Sequence, residues 1–103
     1  MFDNFQPITI TEKAAIEIKK IMATKGIPEE YALRVGVKGG GCGVALMVGF
    51  DKKKESDLVY TINTIPVLID KKHTMYLIGK QVDFVETEQG RGFAFLEQVK
   101  ANS

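Results

Sequence analysis

The sequence predicts an α+β domain with mainly antiparallel strand pairing. One segment near the N-terminus has helical periodicity, many short segments have the composition of strands, and glycine or asparagine residues separate them. The chain has 103 residues, of which 45% are apolar and 26% are charged. This composition is typical of an ordinary globular domain of that length. We therefore expect residues 1–103 to form a single domain.

A helix near the N-terminus is the most regular feature of the sequence. Thr11 is expected to be its N-cap, and the helix is expected to run to about Lys25. Gly26 and Pro28 then end it, because glycine accepts the left-handed cap conformation and a proline ring cannot continue a helix. Residues 8–10, just before it, are predicted as a short strand. Apolar residues recur at helical spacing, at Ala14, Ala15, Ile18, Ile21 and Met22.

Strand patterns follow the helix. Leu33, Val35 and Val37 alternate with polar or small residues, which predicts a half-buried strand. Residues 44–50 are nearly all apolar and predict a second, buried strand. Pro66 favours an edge strand or a first-residue position for its segment. Further strands are predicted at 58–62, 65–69, 82–85 and 93–96, a tight turn at Asn63-Thr64, a polar loop at 51–57 and a short helix at 70–77.

Charge and cysteine content exclude several classes of protein. The formal net charge is +1, so the chain lacks the basic excess of a nucleic-acid-binding protein. No apolar run approaches the roughly 18 residues of a membrane span, and the N-terminus lacks the pattern of a secretory signal. A single cysteine excludes an intrachain disulfide framework and fits a reducing compartment. We expect a cytoplasmic protein without nucleic-acid or membrane partners.

Cys42 is the strongest functional candidate in the sequence. It is the only cysteine and lies within a run of glycines, Gly39 to Gly41 and Gly43. Glycine supplies no side chain for a core and loses the most backbone entropy on ordering. The run therefore predicts a loop whose backbone approaches another group closely, and not a core position.

Known glycine-rich motifs do not explain this loop. A P-loop requires Gly-Lys-Ser/Thr after its spacer, whereas Gly43 is followed by Val44-Ala45-Leu46. A dinucleotide-binding fingerprint requires a helix after the glycines, and here an apolar strand follows. Phosphate binding is therefore disfavoured.

Two kinds of thiol chemistry stay open at this point. A catalytic cysteine needs a base, and the only histidine, His73, lies in a charged segment that favours a solvated position. A thiolate also suits iron–sulfur clusters, zinc or copper(I), but a protein-bound cluster commonly takes four cysteine ligands. One chain supplies one thiolate, so a metal site would be shared between subunits or completed by an external ligand.

The chain resembles the HesB-like domain of A-type iron–sulfur carrier proteins, the IscA/SufA type. The resemblance covers about residues 8 to 95 and depends on the order and spacing of several segments. One of them is Gly41-Cys42-Gly43. The other segments are 8–15, 33–37, 67–70, 76–79, 82–85 and 92–95.

The resemblance implies an α+β HesB-like domain with two small, mainly antiparallel or mixed sheets, one N-terminal amphipathic helix and a short second helix. It implies a non-enzymatic role in iron–sulfur cluster biogenesis, in which the protein binds a cluster, [2Fe–2S] in type, or iron, and delivers it. Cys42 would be the metal ligand, with Gly41 and Gly43 in the binding loop. The implied partners are a second copy in a homodimer or homotetramer, cluster-assembly proteins and apo-target proteins.

The chain differs from the family pattern in its C-terminal segment. The two further cysteines of a C-terminal Cys-Gly-Cys are absent, since the sequence after Phe95 is Leu-Glu-Gln-Val-Lys-Ala-Asn-Ser. The cluster or iron would therefore be shared between subunits through one Cys42 each. Two alternatives stay open: an interaction or regulatory module that has lost cluster binding, and a thiol enzyme or redox sensor that uses Cys42 alone.

Overall fold

The structure, a computed structural model, describes residues 6–40 and 43–97. Two helices and seven strands make up this part of the chain. A 3-10 turn at Lys71–His73 leads into the second helix. In chain order the elements are β1 (Ile8–Ile10), α1 (Glu12–Thr24), β2 (Tyr31–Gly40), β3 (Gly43–Lys52), β4 (Asp57–Ile62), β5 (Ile65–Asp70), α2 (Thr74–Leu77), β6 (Lys80–Thr87) and β7 (Gly90–Glu97).

The strands form two mixed sheets. One has the order β1-β6-β7 and the other the order β3-β2-β5-β4. The antiparallel pairs are hairpins of strands that follow each other along the chain, namely β2 with β3, β4 with β5 and β6 with β7. Two crossovers, β1 to β6 and β2 to β5, produce parallel pairs. The predicted α+β fold with two small mixed sheets is confirmed.

The first helix begins and ends as its sequence predicts. The hydroxyl of Thr11 accepts a hydrogen bond from the backbone N–H of Ala14 at 3.2 Å and donates one to the carboxylate of Asp83 at 2.7 Å. Gly26, with φ of +62°, occupies the left-handed conformation after the last turn. In the described part of the chain, neither helix is long and apolar enough to cross a membrane.

One apolar core joins the helix to both sheets. Burial of each large aliphatic side chain contributes about 1.5–3 kcal/mol relative to leaving it in water. The shared core therefore holds the four-stranded sheet, including the hairpin of β2 and β3, against α1. Its fully buried members include Ile8 and Val82 of the small sheet, Ile18 of α1, and Leu33, Val35, Val67 and Ile69 of the large sheet.

The predicted tight turn between β4 and β5 is confirmed. Asn63 and Thr64 have φ of +50° and +64°, the positive values required at both central residues of the most common two-residue hairpin turn. The Asn63 side-chain amide also donates to the carbonyl of Ile10 at 2.6 Å, which ties the turn to the start of α1. Neither position predicted from Pro66 is observed, because β5 lies between β2 and β4 and begins one residue earlier, at Ile65. Pro66 is tolerated because the pairing with β2 begins only at Val67.

The third strand differs from its prediction in burial. Residues 44–50 belong to a strand, as expected, but that strand is the edge of its sheet. Met47 and Val48 are 38% and 36% exposed. An apolar run here therefore marks a partly uncovered edge and not a buried central strand.

Candidate functional site

The candidate site is the end of the hairpin formed by β2 and β3. The two strands pair without a bulge from Tyr31 opposite Lys52 to Gly40 opposite Gly43. Gly41 and Cys42, the two residues that connect the strands, lie outside the described residues. We call the pair Gly40 and Gly43 the tip of the hairpin, and the end at Tyr31 and Lys52 its base.

Most of the predicted glycine loop belongs to the strands. Gly39 pairs with Val44 and Gly40 pairs with Gly43, so the ladder continues to the residues next to Gly41 and Cys42. The sequence therefore overestimated the length of the loop. Glycine has a low strand propensity and therefore predicts a loop. Here the apolar residues earlier in β2 and later in β3 set the register, and the ladder continues through the glycines.

The middle of the hairpin carries a close contact between a ring and the backbone. A Cβ atom added at Gly36 would lie 2.6 Å from Nδ1 of His73, so only glycine leaves room for the ring. His73 lies at the end of the 3-10 turn, which agrees with the predicted position at a helix end. Its ring is half-buried on this glycine, so it is less exposed than a fully solvated histidine. Gly36 is four residues from Gly40, which places the contact about 13 Å from the tip at the usual rise of a strand.

The base of the hairpin is held by a network of charged side chains. The Arg34 guanidinium donates to both carboxylate oxygens of Asp57 at 2.7 and 2.6 Å and to Asp51 at 3.0 Å. The Asp57 side chain is fully buried, and it also accepts the backbone N–H of Lys54 at 2.7 Å. The network therefore fixes the connection between β3 and β4 against β2.

This network shifts the pKa values of its members. The hydrogen bonds from Arg34, helped by the Lys54 backbone N–H, lower the pKa of Asp57 from 3.8 to about 2 and outweigh the opposing effect of burial. The same pair raises the pKa of Arg34 above its ordinary value. The pKa of Asp51 is also lowered, first by its hydrogen bond from the Lys52 backbone N–H.

Sequence reasoning missed Arg34 and Asp57. Arg34 occupies a polar position in an alternating strand, which predicts only that it faces away from the core. Its partner is 23 residues away along the chain, and no local pattern indicates that contact. Both residues stabilise the fold, and neither is a candidate ligand at the tip.

Potential metal ligands are not clustered in the described part of the chain. Within residues 6–40 and 43–97, no group of three or more His, Cys, Asp or Glu side chains is arranged to hold a metal ion. Lys38 is exposed on β2, two residues before Gly40. A complete thiolate site is therefore not formed by the described part of a single chain.

Solved structures define the class of protein to which this fold belongs. The crystal structure of Escherichia coli SufA, a protein involved in biosynthesis of iron–sulfur clusters, matches with a TM-score of 0.72 at 25% identity, over 97% of this chain and 90% of that one. The crystal structure of IscA with a [2Fe–2S] cluster matches with a TM-score of 0.68 over 91% of this chain and 85% of that one. At 21% identity, this second match shows the fold alone.

The chain belongs to the iron–sulphur cluster biosynthesis family, whose sequence profile matches residues 6–103. A protein named SufA from Bacillus subtilis is 47% identical over 90 residues, which cover 84% of this chain and 73% of that protein. The iron–sulfur cluster insertion protein ErpA of Francisella philomiragia is 36% identical over 89 residues, which cover 84% of this chain and 76% of that protein.

Family membership confirms the predicted resemblance to A-type carriers and the predicted role in iron–sulfur cluster biogenesis. Cluster assembly is also the setting in which its protein partners are to be sought.

Proposed function

We propose that this protein holds an iron–sulfur cluster, [2Fe–2S] in type, or an iron ion between two chains and delivers it to apo-proteins. Cys42 of each chain is the metal ligand, and Gly41 and Gly43 give the cluster close access to the backbone. The observation that carries this proposal is the β2–β3 hairpin. Its unbroken ladder ends at Gly40 and Gly43, immediately next to the only thiol of the chain.

The ligand chemistry requires more than one chain. A thiolate is a soft ligand that suits iron–sulfur clusters, and cluster sites commonly have four protein ligands. The sequence has one cysteine, and the described residues offer no cluster of further ligands. A symmetric dimer supplies two Cys42 thiolates, and glutathione or carboxylate groups would complete the coordination. A homodimer is the smallest assembly that meets this need, and a homotetramer would contain two such sites.

The relatives support delivery as the purpose of binding. ErpA of Francisella is named for cluster insertion, and SufA of Escherichia coli for biosynthesis of such clusters. We extend this role to the present chain as a carrier without catalytic activity, active as one 103-residue domain. A free, metal-binding thiol suits the reducing cytoplasm.

Catalysis by Cys42 has less support than cluster binding. The only histidine is His73, and its ring lies on Gly36, about 13 Å along the strand from the tip. A general base must lie within hydrogen-bonding distance of the group that it deprotonates. The contact with Gly36 instead gives His73 a structural role.

Anaerobic reconstitution with iron and sulfide tests the proposal. Wild type and Cys42→Ser would be treated in parallel, with and without glutathione, and passed through size exclusion with visible absorbance recorded. We expect absorbance in a wild-type dimer or tetramer peak and none in the variant. A colourless wild type with an intact fold would contradict the proposal and favour a module that binds protein partners only. Equal absorbance in both proteins would exclude Cys42 as the ligand.

A further inference from the structure

The 3-10 turn and α2, which follow β5, lie beside the half of β2 that leads to the tip. β5 runs parallel to β2 with Leu68 opposite Arg34, so its last residue, Asp70, is level with Gly36. The chain beyond β5 continues there along β2, because the ring of His73 contacts Gly36 and α2 packs against β2. Any protein that reaches the tip from this side meets the turn and α2.

The turn and α2 combine exposed lysines with exposed apolar side chains. Lys71 and Lys72 are exposed on the turn. Met75 and Tyr76 of α2 are 84% and 57% exposed. Residues three or four apart are neighbours on the surface of a helical segment. The two lysines therefore border the two large apolar side chains.

Two further residues extend this surface. Lys38 is exposed on β2, two residues beyond Gly36 and therefore on the same face of the strand as the contact with His73. Ile78 directly follows α2 and is 53% exposed. We define the α2 surface by its six exposed members, Lys38, Lys71, Lys72, Met75, Tyr76 and Ile78.

The apolar part of the α2 surface has the character of a protein interface. Exposed apolar residues that are grouped and bordered by polar ones mark interaction sites, and methionine and tyrosine are enriched where proteins meet. Leu77, between Tyr76 and Ile78, is fully buried in the core. Its burial holds α2 in place, so the exposed side chains are presented on a fixed element.

The charged part of the α2 surface has one sign. Its charged members are all lysines, and residues 35–40 and 43–50 contain no acidic residue. Asp70 is the only acidic residue of the segment 70–80. Its carboxylate accepts the backbone N–H of Lys72 at 3.0 Å and the hydroxyl of Ser56 at 3.1 Å. Charge complementarity therefore favours an acidic partner.

The same charges argue against a second copy on this surface. A closed dimer joins the same patch of both chains. Because every charged member of the α2 surface is a lysine, any such pairing would bring like charges together, which is costly in an interface. The two chains of the proposed dimer would therefore associate through other residues, and the α2 surface would stay available beside the tip.

Nucleic acid and lipid match the α2 surface less well than a protein does. Phosphate groups would neutralise the lysines, but they offer no apolar partner to Met75 and Ile78. A helix that lies in a membrane surface buries a whole apolar face among the lipids. α2 has only four residues, and one of them, Leu77, is already buried in the core.

We propose that the α2 surface is the docking site for an acidic protein, whose contact region has an apolar centre bordered by carboxylates. Met75, Tyr76 and Ile78 would cover the apolar centre, and the lysines would pair with the carboxylates. Docking here places the partner beside the tip of the hairpin. That the docked partner exchanges a cluster with this chain rests on the proposed function.

Charge reversal on the turn tests the electrostatic part of this proposal. The variant carries Lys71→Glu and Lys72→Glu together. The control carries Lys19→Glu and Lys25→Glu, which make the same change in net charge at exposed positions of α1 and of its C-cap. The probe is an apo-[2Fe–2S] ferredoxin with a net negative charge. Its affinity for the cluster-free carrier would be measured by fluorescence anisotropy at low and high salt.

We expect the variant on the turn to bind this probe at least about tenfold more weakly than wild type at low salt. The control on α1 should match wild type. Binding by wild type should weaken as the salt concentration rises, because salt screens exposed charges. Equal affinity of the turn variant and wild type would overturn the proposal, and so would absence of binding by wild type.

Truncation of the most exposed apolar side chain tests the rest of the surface. Met75→Ala should weaken binding of the probe about fivefold. Ile16→Ala, at a position of α1 that is 52% exposed, should leave the affinity unchanged. Equal affinities of these two variants would show that apolar contact at α2 is not part of docking.

Two further measurements distinguish other occupants. Sedimentation with vesicles of phosphatidylglycerol and phosphatidylcholine, with binding lost on reversal of Lys71 and Lys72, would assign the surface to lipid and overturn the proposal. Loss of the carrier dimer in Met75→Ala would assign it to a second copy and overturn it as well. Failure of wild type to take up a cluster would refute the proposed function separately, since docking is measured on the cluster-free protein.

Discussion

The β2–β3 hairpin is built differently at its two ends. Near the base, Arg34 joins Asp57 and Asp51 through three charged hydrogen bonds of 2.6 to 3.0 Å, and the buried carboxylate of Asp57 has no exposed oxygen. At the tip, the strands end in glycines, and the charged residue closest to it along the two strands, Lys38, is exposed. The comparison teaches that charged, desolvated contacts hold one end of the hairpin, whereas the ladder at the other end closes on glycines, which have no side chain.

Removal of the buried charge at the base should have the largest effect on stability. Asp57→Asn leaves the shape of the side chain but takes away the partner of Arg34, and breaking a buried ion pair costs several kcal/mol. Because Arg34 is 21% exposed, we expect a loss near the low end of that range, about 3 kcal/mol, in the free energy of unfolding by urea.

Asp51→Asn is the matched control for this prediction. Asp51 contacts the same guanidinium, but its side chain is 38% exposed. Because solvent screens an exposed ion pair, we expect a much smaller loss of stability for this variant than for Asp57→Asn. Equal losses for the two variants would mean that the buried carboxylate of Asp57 contributes no more to stability than the exposed one of Asp51. That result would contradict the claim that desolvated contacts stabilise the base of the hairpin.

Acid should weaken the base of the hairpin through the same carboxylate. The pKa of Asp57 is lowered from 3.8 to about 2 in the folded protein, so its contribution to stability is fully present above pH 4–5. That contribution is lost as the pH falls through about 2. The urea midpoint of wild type should therefore fall between pH 5 and pH 2, and that of Asp57→Asn should fall less. The lowered pKa values of Asp51, Asp70 and Asp83 leave the variant some acid sensitivity. Identical pH profiles would contradict this assignment.

A smaller effect is expected midway along the hairpin. Gly36→Ala would place a Cβ 2.6 Å from the His73 ring, and overpacking of this kind costs about 1–3 kcal/mol. Gly49→Ala is the control, because a Cβ there meets no atom within 4 Å. The cost of Gly36→Ala should fall when His73→Ala is also present. An unchanged cost in that background would show that the ring does not impose the glycine.

Local structure was largely predictable from the sequence. The helix α1 is specified by the spacing of its own apolar residues and by the capping residues at its ends. The turn at Asn63 and Thr64 depends on two adjacent residues. The parallel pairs of β1 with β6 and of β2 with β5 join segments far apart in the sequence. Patterns of period two do not specify such partners, because they indicate a face and not a neighbour.

The candidate site was likewise only partly predictable from the sequence. Cys42 and its glycines stand out by residue type alone, whereas the Arg34–Asp57 pair and the contact of His73 with Gly36 arise only from the fold. The apolar run of β3 predicted a buried strand because hydrophobicity reports preference for burial and not position in a sheet.

The central claim is that two Cys42 thiolates, one from each chain, hold one cluster. The most direct test is to mix wild type with Cys42→Ser in equal amounts, allow the chains to exchange, reconstitute anaerobically and measure cluster absorbance per wild-type chain. Mixed dimers would lack one thiolate, so random exchange should reduce this value to about half that of pure wild type. An unchanged value, with exchange verified by a size-tagged variant chain, would show that a single thiolate suffices and would contradict the shared site.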